Sequence, residues 1–395
     1  MCGLRSKSRF GVYLGLLTAA LLIASSALAV DDVRDNPDPQ AKQSILVVVG
    51  AAGTDEYRSE FMDWCNLWRR AAQQAGAEFD VIGGDSSHEE LETVADDRDR
   101  LRDDLAARAA EESAVLWIVL IGHGTFDGQA AKFNLSGPDL TAAELAEWLR
   151  PHRRPVVVVN CASSSAPFIN RLAGGDRVVI TATKSGHEQN FARFGKYFSA
   201  AISDPTADLD KDDQVSLLEA FLTACRQVAE FYQQESRLAT EHALLDDNGD
   251  GLGTPAVWFR GLRATQRAKD DASLDGTRAH QIHLIPSDRE QHMPPEVRNR
   301  RNQIELAIAE LRLEKERLSE DAYYEQLERQ MVELARLYAS IQEETASGEL
   351  TPDQEVEPTA KVDIPADSQS AANSGEAGDA ADRGETPPSE TPSAE

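Results

Sequence analysis

Cysteine is scarce in this chain, with four in 395 residues. Cys2 lies in the N-terminal leader described below. That leaves Cys65, Cys161 and Cys225, an odd number, so at least one thiol is free or pairs between chains. A disulfide framework is thereby excluded as the basis of the fold. Basic residues are also short: 40 Lys and Arg stand against 68 Asp and Glu, a formal net charge of −28. Such a surface repels nucleic acid and anionic lipid, and it is compatible with cation binding. After the leader, no apolar run is long enough to cross a bilayer. The dinucleotide fingerprint is missing too. Gly50-Ala51-Ala52-Gly53 follows an apolar run but lacks the rest of that motif, and reads as a tight strand-to-helix turn.

Residues 1–29 have the order of a signal peptide. Arg5, Lys7 and Arg9 precede an apolar stretch from Gly11 to Ala24, and Ala27-Leu28-Ala29 supplies small residues for cleavage. An uncleaved membrane anchor is the alternative. The expected location is secreted or periplasmic, with no membrane association after cleavage. Residues 30–43 form a polar lead-in.

Two short stretches dominate what is present. Val115 to Gly124 reads V-L-W-I-V-L-I-G-H-G, and Val156 to Ser165 reads V-V-V-V-N-C-A-S-S-S. Continuous apolar runs of this length fit strands buried on both faces of a parallel sheet. Each ends in one reactive residue, His123 or Cys161, followed by small residues. Further strands are expected at Ile45 to Val49, Phe79 to Ile82 and Val178 to Thr183. Helices are expected at Asp55 to Ala75, within Ser87 to Glu112, at Thr141 to Arg150, Phe191 to Ile202 and Val215 to Ala239. Thr141 with Glu144 forms a capping box. Cys65 and Cys225 fall on apolar helix faces, as core residues or as a pair. This alternation predicts an α/β fold: a doubly wound, mostly parallel sheet flanked by helices. In such sheets ligands bind at the carboxyl edge, where imidazole and thiol would stand side by side. The alternative is a turn histidine and a core cysteine.

An apolar strand ending in His-Gly, followed by one ending in Cys, resembles the caspase–legumain–gingipain clan of cysteine peptidases. The resemblance covers roughly Ser44 to Phe259, within a domain drawn as 44–262. It implies a caspase-like fold and a His123–Cys161 dyad. It also implies oxyanion donors in the backbone N–H groups of Gly124 and Cys161. The chemistry needs a thiolate, so the thiol pKa must fall, and an imidazole to protonate the leaving amine. Caspases carry Gln-Ala before the cysteine and legumain Glu-Ala; here Val159-Asn160 precede it and Ala162-Ser163 follow. Glu188 and Ser185, after the fifth strand, are candidates for the specificity pocket. His187 is a rival histidine without a following glycine.

Two acidic loops carry oxygen ligands at calcium-loop spacing. In the first, Asp208, Asp210, Asp212, Gln214 and Glu219 take positions one, three, five, seven and twelve. Asp213 stands where glycine is usual. In the second, Asp246, Asn248 and Asp250 take the first three ligand positions, with Gly251 at six and Val257 at twelve. The expected cofactor is structural Ca2+; the hydrolysis itself needs none. Residues 263–294 read as a linker, its three histidines as surface residues. Residues 295–343 read as a helical hairpin with a coiled-coil seam, packing within the chain or joining two chains in a homodimer. Residues 344–395 read as a disordered acidic tail.

The expected function is an exported cysteine-type endopeptidase acting on peptide or protein substrates. The first alternative is a catalytically silent caspase-fold scaffold that binds partners through the hairpin. A transferase using the same dyad is a third.

Overall fold

A computed structural model describes residues 42–84, 96–110, 114–269 and 272–348. The leader (1–29) and the tail from residue 349 lie outside the described residues, as do most of the lead-in and His88. The chain divides into two compact units, Met1–Thr345 and Ala346–Glu395; the elements below build the first, and the last helix runs three residues past its end.

The order begins β1 (Ser44–Val49), α1 (Asp55–Ala75), β2 (Glu78–Gly83), α2 (Asp97–Arg108) and β3 (Leu116–Ile121). A small antiparallel sheet follows: β4 (Gly124–Phe126), β5 (Ala131–Phe133) and β6 (Leu140–Thr141). Then come α3 (Ala142–Trp148), β7 (Val156–Asn160), α4 (Pro167–Leu172), β8 (Arg177–Thr181), α5 (Phe194–Ala201) and α6 (Leu217–Gln234). The chain continues with β9 (Leu244–Asp246), β10 (Thr254–Pro255), β11 (Phe259–Arg260) and β12 (Arg263–Ala264). Four helices complete it: α7 (Thr277–Gln281), α8 (Asp288–Gln291), α9 (Pro295–Leu313) and α10 (Glu320–Gly348).

The main sheet has seven strands in the order β10-β9-β8-β7-β3-β1-β2. The five strands β2, β1, β3, β7 and β8 pair in parallel. Strands β9 and β10 add an antiparallel edge that the sequence pattern did not announce. Every side chain of β1, β3 and β7 is buried. That explains their continuous apolar runs: successive side chains point to opposite faces, and both faces are covered. One face packs Val47, Val119, Val159 and Ile180 against α1, α5 and α6, through Trp64, Trp68, Phe198 and Phe221. The other packs Val48, Ile118, Val158 and Val179 against residues of α2, α3 and α4.

Local signals explain the helix limits. Thr54 caps α1 at Tyr57 N–H, and Gly76 ends it in a left-handed conformation, φ 63°. The Thr141–Glu144 capping box opens α3 as the sequence predicts, and a second box, Ser216 with Glu219, opens α6.

Residues 263–294 are built into this unit rather than strung out as a connection. Asp275 is buried and holds loop backbone, and Asp247 anchors α7 by accepting from Gly276 N–H and Ala279 N–H. Helix α9 packs within the chain: Ile304, Ile308 and Leu311 are buried, and Arg301 forms a buried pair with Glu290. Arg300 of α9 bonds Glu333 of α10, closing the hairpin.

Candidate functional site

Strand β3 delivers His123 and β7 delivers Cys161 to the same edge of the sheet, because Leu120 and Asn160 are register partners. Both side chains lie on the α1 side. The His123 ring stands edge-on to Tyr57 at 4.8 Å and to Phe61 at 5.2 Å between ring centroids, with Phe191 at 5.9 Å. Its Nε2 lies 3.2 Å from the Ala52 carbonyl oxygen. A carbonyl only accepts, so this contact selects the Nε2–H tautomer. Burial pushes the imidazole pKa down, opposed in part by that carbonyl.

Cys161 is 1% exposed and belongs to the apolar core. A Cβ at Gly195 would lie 2.7 Å from Cys161 Cβ and 2.8 Å from the Trp64 ring, so the thiol is seated beneath α5. Burial pushes its pKa up. A thiolate–imidazolium pair requires a lowered thiol and a raised imidazole; here both shifts run the other way. No hydrogen bond joins His123 to Cys161 among the described residues.

The expected oxyanion donors are already engaged. Cys161 N–H donates to Leu120 O at 2.9 Å as a rung of the sheet. Gly124 N–H donates to Ser163 Oγ at 3.3 Å, and Ser163 Oγ–H donates to Gly124 O at 3.1 Å. A Cβ on Gly124 would meet Ser163 O at 2.2 Å, so glycine is required for this close approach. Both N–H groups expected to serve as oxyanion donors, those of Gly124 and Cys161, thus have partners within the fold.

Glu188 and Ser185, the candidates for the specificity pocket, both make hydrogen bonds within the turn that follows β8. The Glu188 carboxylate accepts from Lys184 N–H at 2.9 Å and His242 N–H at 3.2 Å, and its Oε1 lies 2.6 Å from His242 Nδ1. Its backbone carbonyl accepts from Ser164 N–H. Glu188 thus ties together the segments after β7, after β8 and before β9. Ser185 Oγ accepts from His187 N–H. His187 meets Phe126 edge-on at 5.3 Å. Asp127 accepts from Gln129 and Ala130 N–H at the tip of the β4–β5 hairpin.

In the first acidic loop, Asp208, Asp210 and Asp212 bring one oxygen each within 4.8 Å of one another. Crowding by Asp212 and Glu219 adds to burial in raising the Asp210 pKa. Asp213 adopts φ 68°, the left-handed conformation usually given to glycine at this position. Glu219 is fully buried; its Oε1 accepts from Leu209 and Asp210 N–H, and its Oε2 from Ser216. The Gln214 side chain turns to Asp212 and Ser287, leaving its carbonyl as its ligand atom. The donor set is all oxygen, which suits a hard cation.

In the second loop, Asp246 accepts from Gly249 and Gly251 N–H, and Asn248 accepts from Asp250 N–H. Asp250 accepts from Leu252 N–H. The sequence reading missed Asp275. Its Oδ1 accepts from Asp247 and Asn248 N–H, the same two loop positions that Glu219 holds in the first loop. Val257 at position twelve is an exposed side chain, and a carboxylate from far along the chain does the closing. A pattern read within twelve consecutive residues has no access to that.

No family model matches the chain, and no curated protein matches it. Solved structures similar to it include the Drosophila initiator caspase Dronc, at 14% identity and TM-score 0.35, covering 61% of this chain and 95% of that one. Caspase-1 from Spodoptera frugiperda aligns at 9% identity and TM-score 0.33, covering 54% and 94% respectively. At such scores nothing about activity follows from the likeness, and the sheet order and site geometry stand on their own. No described helix is long and apolar enough to cross a membrane.

Proposed function

We propose that this chain is a caspase-like scaffold that does not hydrolyse peptide bonds through Cys161, and that it engages protein partners through the α9–α10 hairpin. One observation carries the reading: Cys161 is committed to the core through its side chain and to the β3 ladder through its N–H. A nucleophile needs a thiolate that substrate can reach. On the hairpin, α10 leaves Tyr324, Met331 and Val332 exposed, which supplies the apolar contact a partner helix would use.

A second reading, an exported cysteine peptidase, is favoured by the placement of His123 and Gly124 at the carboxyl edge beside β7. It requires a rearrangement that frees the thiol and both N–H groups. An electrophilic peptide probe separates the two. The scaffold reading expects Cys161 to react no faster than Cys65 and Cys225 in the native protein. Fast, His123-dependent labelling of Cys161 would establish the peptidase instead. In either reading the first acidic loop is proposed to hold a structural Ca2+, with Asp208, Asp210 and Asp212 as its side-chain ligands.

A further inference from the structure

The two-residue strands β11 and β12 make a hairpin whose only exposed charges are alike. Arg260 and Arg263 are direct cross-strand partners, flanking Gly261 at φ 58°. Directly opposite residues project from the same face about 5 Å apart, and like charges there repel. Both arginines are exposed, and neither has an acidic partner among the described residues. In a chain of net charge −28, two adjacent unpaired cations run against the general surface.

Packing and hydrogen bonds anchor the hairpin to the body of the protein. Phe259 packs edge-on to the buried Phe221 at 6.5 Å, and a Cβ on Gly276 would strike the Phe259 ring at 2.6 Å. Thr265 donates to the Trp258 carbonyl through both its N–H and its hydroxyl. Anchored aromatic packing thus presents a repulsive pair outward. Beside it, Val257 is 84% exposed.

We propose that the β11–β12 hairpin is a docking point for an acidic peptide segment of a partner protein. Arg260 and Arg263 would take neighbouring carboxylates in planar, charge-assisted hydrogen bonds, and Val257 an adjacent apolar side chain. Extended polyanions fit less well, because the negative field of the rest of the chain opposes them while a short segment meets mainly the hairpin. The proposal does not depend on whether Cys161 is reactive.

The test uses the full chain and a short fluorescein-labelled peptide of alternating Glu and Leu, followed by anisotropy at low ionic strength. The peptide should bind, with affinity falling as salt rises. Arg260→Glu with Arg263→Glu should weaken binding by about tenfold or more, at an unchanged melting temperature. The double lysine variant, which keeps the charge, should retain most of the affinity. No binding at millimolar protein would overturn the proposal. So would equal binding by the double glutamate variant, or equal binding of a matched, uncharged peptide of alternating Gln and Leu. Stronger competition by duplex DNA or anionic vesicles for the same arginines would reassign the surface to those partners and overturn it as well.

Discussion

Gly195 and Cys161 face each other across the α5–β7 interface, with room for one Cβ and not for two: a second would lie 2.7 Å from the first. This contact fixes the orientation of the thiol. An alanine at position 195 must displace either β7 or the Trp64 ring, both part of a dense core. Gly195→Ala is expected to cost about 1–3 kcal/mol, as overpacked cores do, and to lower the melting temperature. An unchanged melting curve would mean that α5 lifts easily from β7, and with it that Cys161 is easily uncovered.

Thiol chemistry gives the second prediction. Burial raises the Cys161 pKa and lowers that of His123, and both shifts disfavour a thiolate–imidazolium pair. Iodoacetamide modification of Cys161 should therefore be slow and rise steadily into the alkaline range. An activated dyad would instead show a plateau around neutrality. Cys161→Ala should leave this protein's binding properties unchanged and lower its stability modestly, since a small buried side chain is trimmed. The measurement is the pH dependence of labelling, resolved by peptide mapping of the three cysteines.

His283 gives a stability prediction with a definite sign. Burial lowers its pKa from 6.5 to about 4, against the opposing charges of Glu290 and Asp212. The folded state therefore binds fewer protons than the unfolded state across that window, and its stability is lost as pH falls from about 6.5 to about 4. The limiting size is on the order of 3 kcal/mol. Asp246, pushed up to about 6, contributes in the opposite sense as its carboxylate gains a proton, so the total acid curve is a difference. Comparison with His283→Phe isolates the histidine. Its Nε2 is buried without a partner, so an apolar ring forfeits no hydrogen bond there. The melting temperature of the wild type should fall relative to that of His283→Phe as pH drops below 6; parallel curves would contradict the assignment.

Much of the architecture was legible because it rests on local pattern. The runs at Ile45, Leu116 and Val156 are strands for the reason their composition implies, and helix α1 ends where its apolar face ends. Thr141 and Ser216 open helices through short-range caps. What was not legible depends on facing and on distance. A run that is apolar on both sides conceals which face its last residue takes, so Cys161 read as an edge residue although it points beneath α5. The roles of Glu188, Asp275 and His283 arise from partners at positions 242, 247 and 290, far from them in the chain or hidden by burial. The short strands β9 to β12 carry too few residues to show a period.

Calcium provides the last prediction. Asp208, Asp210 and Asp212 converge within 4.8 Å, and like charges this close repel, more strongly where water is partly excluded. A divalent cation would reverse that repulsion and add oxygen coordination, stabilising the folded state by mass action. The loop leads into α6 through Ser216 and Glu219, and Glu219 also holds the loop's second and third backbone N–H groups. Ordering the aspartates should thus stabilise the N-terminus of α6 and, through Phe221, the core beneath α5. Millimolar calcium is expected to raise the melting temperature, and magnesium to raise it less, because a flexible many-oxygen site suits the larger ion. Asp208→Ala with Asp212→Ala should remove most of that gain. Asp213→Gly should act oppositely: glycine adopts this left-handed backbone without a steric cost, and it should sharpen the response to calcium. Identical melting curves in calcium and in chelator would show that the three carboxylates are a solvated turn, held by the Lys211 and Asp213 N–H groups that Asp208 accepts.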